Sequence, residues 1–422
     1  MSEHILAGFG FGPIQAGLFI NEAYASGKFS RIAAAEVDEE VVAAVRANKG
    51  SYCVNIARAK GISTVRIDGM EILNPKVDED RRVLSEVLSQ ATEVVTSLPA
   101  VDFYERGGQN STAGLLAQGL ANTKADGTLV YTAENNNRAA EILGEAVERA
   151  GFRCGRRQQF LNTVIGKMSR VVSDRGEIAE MGLAPIAPGL TRAFLVEEFN
   201  RILVTRCRIG GFERGIEVFI EKEDLLPFEE AKLYGHNAIH ALLAYLGELK
   251  GYRRMQELKA DAAIMAIARN AFLYESGGAL IKKYACLDAP LFTEAGYREY
   301  AFDLLERMTN PFLADTVERA GRHRLRKLGV NDRIFGMMSL SLEQGIEPVN
   351  MALGAMAAIA GLLTDADANK PANLPRGNWR KMGDGDIEGI VEWIWGKDES
   401  RYKRELIKYV CAARGELKKI LG

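Results

Sequence analysis

Across the first 150 residues, short unbroken apolar runs alternate with stretches whose apolar positions recur every three to four residues. "HILAGFG", "RIAAAEV", "EVVTSLP" and "GTLVYTAE" read as strands, and "PIQAGLFINEAYAS", "DEEVVAAVRANK" and "NNRAAEILGEAVERAG" as helices between them. Such alternation predicts βαβ units and a doubly wound parallel sheet. From about residue 191 the strand signals fade. "TRAFLVEEFNRILV", "EEAKLYGHNAIHALLAYLG", "MQELKADAAIMAIARNAFLYESGGALIKKYA" and the segments near 296–309 and 349–364 carry helical periodicity instead. The pattern predicts an α/β domain over 1–190 and a mostly α-helical domain over 191–422. The Pro- and Asn-rich stretch 365–379 reads as an exposed connection to a terminal pair of helices. The longest apolar run, "MALGAMAAIAGLL" at 351–363, is 13 residues. A membrane span needs about 20, so this run reads as a buried helix.

Length and composition agree with that picture. A chain of 422 residues exceeds what one core usually holds. Hydrophobic residues at 47% and charged residues at 26% are ordinary globular values. The net charge of −2 gives no reason to expect nucleic acid or a membrane surface as partner. Cys53, Cys154, Cys207, Cys286 and Cys411 are far apart and form no CxxC pair, as in a reduced intracellular protein without a cysteine metal site. "MSEHILAGFGFG" has no basic region ahead of its short apolar run, so no signal peptide is read there. A soluble, cytoplasmic protein is expected.

Two stretches carry chemistry. The first, "GFGFGPIQAG", follows the first strand and opens a helix. Gly10 and Gly12 fit the first two glycines of a GxGxxG turn. One permits the tight turn, and the other lets backbone N–H groups approach a pyrophosphate at the helix N-terminus. Pro13 suits the first helical turn. The third glycine position holds Gln15, and Gly17 is the next glycine along. The second strand ends at Glu36, 24 residues after Gly12. A carboxylate there accepts from a ribose 2′-hydroxyl and repels a 2′-phosphate, favouring NAD over NADP. Asp38 is the alternative or second carboxylate. These features point to a Rossmann-type dinucleotide site.

The second is the helical stretch 229–247. With Lys232 at 0°, a regular helix puts His236 at about 40°, Glu229 at about 60°, His240 at about 80° and Asn237 at about 140°. One broad face thus carries an amine, an amide and imidazoles. A lysine desolvated enough to lose its proton near neutral pH can act as a base, and an amide N–H₂ can stabilise an oxyanion. A solvated face is the competing reading. "HNAIH" lacks the glutamate of a zinc-protease helix, so no metal is expected there.

With the glycine loop, "AKLYGHNAIH" and the domain order together, the chain resembles the polyol-specific long-chain dehydrogenase/reductase family. The family's K-x-x-x-x-N-x-x-H signature matches Lys232, Asn237 and His240. Further similarity runs through "SYCVNI", "YTAENNNR", "VEEFNRILV", "ESGGALIKKY" and "NPFLADTVERAGRHRLRKLGVNDR". The resemblance covers about residues 5–364. It implies metal-independent, NAD-linked interconversion of a sugar alcohol and a ketose in a cleft between the domains. Lys232 would be general base and Asn237 the oxyanion stabiliser. His240 would orient substrate, and Asn135 would be a second oxyanion-side amide from the cofactor domain.

The chain also departs from the family pattern. Gln15 replaces a glycine, and His236 has no place in the signature. Glu229 could relay protons or be a surface acid. Ser169 precedes Arg170 where relatives carry an acidic residue, which leaves substrate identity open. The run "GRHRLRKL", 321–328, suits a phosphomonoester through Arg324 and Arg326. A phosphorylated hexitol is therefore expected, with a basic helix face or ion pairs as the plainer reading. A free hexitol or hexuronate, or a non-catalytic dinucleotide-binding protein, are the alternatives.

Overall fold

The computed structural model describes residues 4–364 and 377–421. The expected connection at 365–379 therefore lies, up to residue 376, outside the described residues. The chain forms two compact units, Met1–Leu226 and Pro227–Gly422. Among the described residues, no helix is long and apolar enough to cross a membrane.

Among the described residues, the first unit holds twelve strands. They are β1 (His4–Phe9), β2 (Phe29–Ala35), β3 (Tyr52–Arg58), β4 (Gly61–Ile67), β5 (Glu71–Leu73), β6 (Glu93–Thr96), β7 (Thr128–Thr132), β8 (Gln158–Val164), β9 (Ser169–Val172), β10 (Ala193–Glu197), β11 (Leu203–Thr205) and β12 (Ile220–Lys222). Eight form one sheet in the order β12-β11-β8-β7-β6-β1-β2-β5, parallel from β8 to β5. This is the doubly wound, Rossmann-like sheet that the alternating pattern predicts. The strand order turns back between β1 and β6, the usual place for a ligand crevice in such sheets. A smaller sheet runs β4-β3-β10-β9.

Apolar side chains fill both faces of the large sheet. On one face, Leu84, Leu88, Leu116 and Leu143 of three helices cover Ala7, Val94 and Val130. On the other, the helix after β1 supplies Leu18, Phe19 and Ile20, and the small sheet adds Val54, Phe194 and Val196. Gly17 sets how closely that helix approaches the small sheet. A Cβ there would fall 2.6 Å from Val196 Cγ1.

Two expectations are corrected. "TRAFLVEEFNRILV" forms β10 and β11, not a helix. All five residues of β10 are buried, because the strand lies centrally between β3 and β9. A short apolar run buried on all sides shows no period by which to separate strand from helix. Since β10, β11 and β12 complete the two sheets, the boundary moves from near 190 to Leu226/Pro227.

Every named element among the described residues of the second unit is a helix. The run at 351–363 is wholly buried within the helix Val349–Thr364. The terminal pair is Asp384–Trp395 and Lys403–Leu421.

Candidate active site

In the first unit, β1 delivers the chain to Gly10, whose φ of +84° is open to glycine at little cost. A Cβ at Gly10 would also lie 2.5 Å from Ser97 O. At Gly12 a Cβ would meet nothing within 4 Å, so the backbone here borders open space. The helix begins at Pro13, and Ala16 N–H donates to Gly12 O at 2.9 Å. These are the turn, the backbone cradle and the helix end that a pyrophosphate requires. The missing third glycine is answered from the strand. A Cβ on Gly8 would fall 2.1 Å from Gln15 Nε2, so Gly8 makes the room that a helical glycine would otherwise provide. The Gln15 amide is wholly buried, and neither of its polar atoms has a hydrogen-bond partner.

Glu36 ties this turn to the end of β2. Its carboxylate accepts from Phe11 N–H at 2.8 Å, Val37 N–H at 2.7 Å and Asp38 N–H at 2.8 Å. A carboxylate has about four acceptor sites, so capacity for a further hydroxyl remains. Asp38 is the N-cap of the helix Glu39–Ala47 and pairs with Arg192 at 2.7 Å. Arg192, helped by the cap, holds that carboxyl below the usual range against the opposing effect of burial. Asn135 is exposed on the turn after β7. Its neighbour Glu134 is buried and accepts from Thr96 Oγ1 at 2.9 Å, Leu98 N–H at 2.8 Å and the Tyr104 hydroxyl. That carboxylate fixes the turn on which Asn135 stands to the turn that abuts Gly10.

In the second unit, the regular-helix projection of residues 229–247 is corrected. The segment is a π-helix over Ala231–Asn237 and an α-helix over Ala238–Lys250. In a π-helix hydrogen bonds run from residue i to i+5, so Lys232 and Asn237 lie one above the other instead of about 140° apart. The following α-helix carries the same face on to His240, three residues later. The spacing K-x-x-x-x-N-x-x-H thus places all three groups on one face because the helix widens at that point. Burial, then the Arg333 guanidinium, lower the Lys232 ammonium from 10.5 to about 8, while Glu229 opposes them. Glu229 is itself buried.

His240 Nε2 lies 3.0 Å from Asp315 Oδ2. Asp315 also takes Arg319 Nε at 2.6 Å and Nη2 at 2.8 Å. Burial pushes the Asp315 carboxyl up, but the bonds from His240 and Arg319 outweigh it and hold the group well below the usual carboxylate range. An anionic Asp315 keeps the proton on Nε2 and leaves Nδ1 as an acceptor in the neutral ring. The sequence reading missed Asp315 and Arg319, and their D-x-x-x-R spacing on a helix start was the available signal. His236 is buried, and burial, then Arg307 and the other nearby cations, press its imidazole well below its ordinary value. Among the described residues, no three His, Cys, Asp or Glu side chains converge as metal ligands.

The basic run is divided. Arg324 pairs with Glu248 and lies over the Tyr245 ring at 5.2 Å. With Arg326, Arg322, Arg253 and Glu318 it lines a cavity of about 1260 Å³ whose walls do not include Lys232, Asn237 or His240. Lys327 and Arg333, by contrast, are buried. Ser169 and Arg170 are on β9, where Arg170 pairs with Glu177 at 2.7 Å.

Residues 224–382 match the family described as the mannitol dehydrogenase C-terminal domain. Among solved structures, a D-sorbitol dehydrogenase in substrate-free form aligns with a TM-score of 0.76 at 14% identity, over 99% of this chain and 93% of that one. A Pseudomonas fluorescens mannitol 2-dehydrogenase in ternary complex with NAD and D-mannitol aligns with a TM-score of 0.67 at 16% identity, over 100% and 94%. At such identities the alignments show a shared fold.

Proposed function

We propose that this chain is an NAD-dependent dehydrogenase that interconverts a sugar alcohol and a ketose, with Lys232 as general base. One observation carries the reading: an amine held at about 8 on the same helix face as Asn237 and His240. In the oxidation direction the neutral Lys232 amine takes the carbinol proton. Asn237 donates to the oxygen as charge develops on it, and the resemblance assigns Asn135 the part of a further oxyanion-side amide. His240, oriented by Asp315, holds a neighbouring hydroxyl through Nδ1. Bound NAD supplies the hydride acceptor. Gly10 and Gly12 would hold its pyrophosphate, and Glu36 its ribose hydroxyls in preference to a 2′-phosphate.

The mannitol dehydrogenase match over 224–382 supports the sugar-alcohol class. Within that class we favour a phosphorylated pair, mannitol 1-phosphate and fructose 6-phosphate. The support is the resemblance to mannitol-1-phosphate 5-dehydrogenase and the basic run containing Arg324 and Arg326. A free hexitol or hexuronate is the second reading. It is favoured by the engagement of Arg324 with Glu248 and by the names of the two solved relatives, a sorbitol and a mannitol dehydrogenase.

The test follows NADH and NADPH oxidation with fructose 6-phosphate, fructose, tagaturonate and fructuronate. Turnover with NADH and the phosphorylated ketose is expected. Activity confined to free sugars or uronates selects the second reading, and silence across the panel points to a non-catalytic protein.

A further inference from the structure

Beside the Lys232 face the cations Lys232, Lys327 and Arg333 stand near the acids Glu229 and Asp332. Arg333 is buried, and the Asp332 carboxylate beside it in sequence takes its Nε at 2.7 Å. Lys327 is buried too, its ammonium held on the Ala320 carbonyl. The turn that carries Arg333 is fastened to the π-helix. Tyr234 Oη donates to Asn331 O at 3.4 Å, and a Cβ at Gly336 would fall 2.8 Å from the Tyr234 ring. The Arg333 charge consequently acts on both flanking lysines, and burial and that charge together bring Lys327 down to about 7. Crowding buried cations in this way is costly, and a bound anion relieves the cost.

We infer that Arg333 is the ligand for the substrate's phosphate, with the reacting carbinol at Lys232 and the phosphomonoester on the Arg333 guanidinium. The inference rests on the phosphorylated reading above and moves the phosphate from Arg324 and Arg326 to Arg333. Arginine suits the task because its planar fork binds a phosphate through two parallel N–H···O bonds. With Lys232, Lys327 and Arg333 facing Glu229 and Asp332, a neutral hexitol would leave cations in excess of acids.

The test uses the full chain and the variants Arg333→Gln and Arg333→Lys, with fructose 6-phosphate and fructose as substrates and inorganic phosphate as competitor. A charge-assisted hydrogen bond is worth about 1.5–3 kcal/mol, so KM for fructose 6-phosphate should rise about 10–100-fold in Arg333→Gln. Inhibition by phosphate should weaken in step, and any KM for fructose, which carries no phosphate, should not rise with it. Arg333→Lys keeps the charge but loses the fork, and should raise KM by a smaller factor. An Arg333→Gln protein with unchanged KM and unchanged phosphate inhibition overturns the subsite and leaves the phosphorylated reading standing. If Arg333→Gln does not fold, an unchanged KM in Arg333→Lys decides against the subsite. A wild type that ignores fructose 6-phosphate overturns the substrate reading, and this inference with it.

Discussion

Lys232 is an amine whose titration is set by surrounding groups, and that makes its role readable in pH. Oxidation needs the neutral amine, so kcat/KM for the polyol should rise with pH and level off above about 8. Ketose reduction needs the ammonium and should fall over the same interval. Replacing Arg333 with Gln removes a cation that lowers Lys232, so this limb should move to higher pH in Arg333→Gln. Lys232→Ala should lower turnover by roughly 10²–10⁴-fold, the usual range for a general base. NAD affinity by fluorescence titration should not change, and loss of NAD binding would reassign the residue. Asp315→Asn should lower kcat/KM by about 10–100-fold by freeing the His240 ring, while unchanged kinetics would make Asp315 a purely structural partner of Arg319. Lys232, Asn237 and His240 were legible because they share one segment and a fixed spacing. Asp315 lies 75 residues from His240, and no local periodicity connects residues so distant in sequence.

At the scale of elements, the parallel strands and their helices were legible, since β1, β2, β6 and β7 are unbroken apolar runs beside clearly amphipathic helices. β10 was not, because burial on all sides erased its period. The π-helix was also hidden, since nothing in the apolar pattern of 229–247 marks an extra residue in the turn. Another π-helix of the same unit, Ala271–Gly277, shows what such a segment does for its neighbours. It carries Glu275, buried, whose carboxylate accepts from Asn350 N–H at 2.6 Å, Asn350 Nδ2 at 2.7 Å and Met351 N–H at 2.9 Å. The start of the long helix Val349–Thr364 is thereby capped from another element. Glu275→Ala leaves those donors without a partner and should cost about 2 kcal/mol, read as a lower midpoint in urea. A midpoint within error of wild type would mean that water replaces the cap.

At the scale of the whole molecule, the chain separates into a sheet-rich unit that carries the glycine turn and a helical unit that carries Lys232, Asn237 and His240. The boundary was misplaced from sequence because the last three strands of the first unit are short and carry little pattern of their own. As the proposed base and oxyanion donors are all side chains, dialysis against EDTA should leave turnover unchanged, whereas a loss restored by zinc would require a metal step. The widened turn at Ala231–Asn237 has a further consequence. A π-helix is an α-helix with one residue to spare, so this segment depends on a count of residues as well as on their types. Deleting Leu233 would let the segment relax into a regular helix and keep the buried register from Ala238 onward. Lys232 would then stand four residues before Asn237, a spacing that keeps both side chains on one face of a regular helix. A one-codon deletion should therefore yield a folded protein that keeps Lys232 beside Asn237, whereas one residue inserted at the same place carries Lys232 off that face and should give a cofactor-binding but inactive protein.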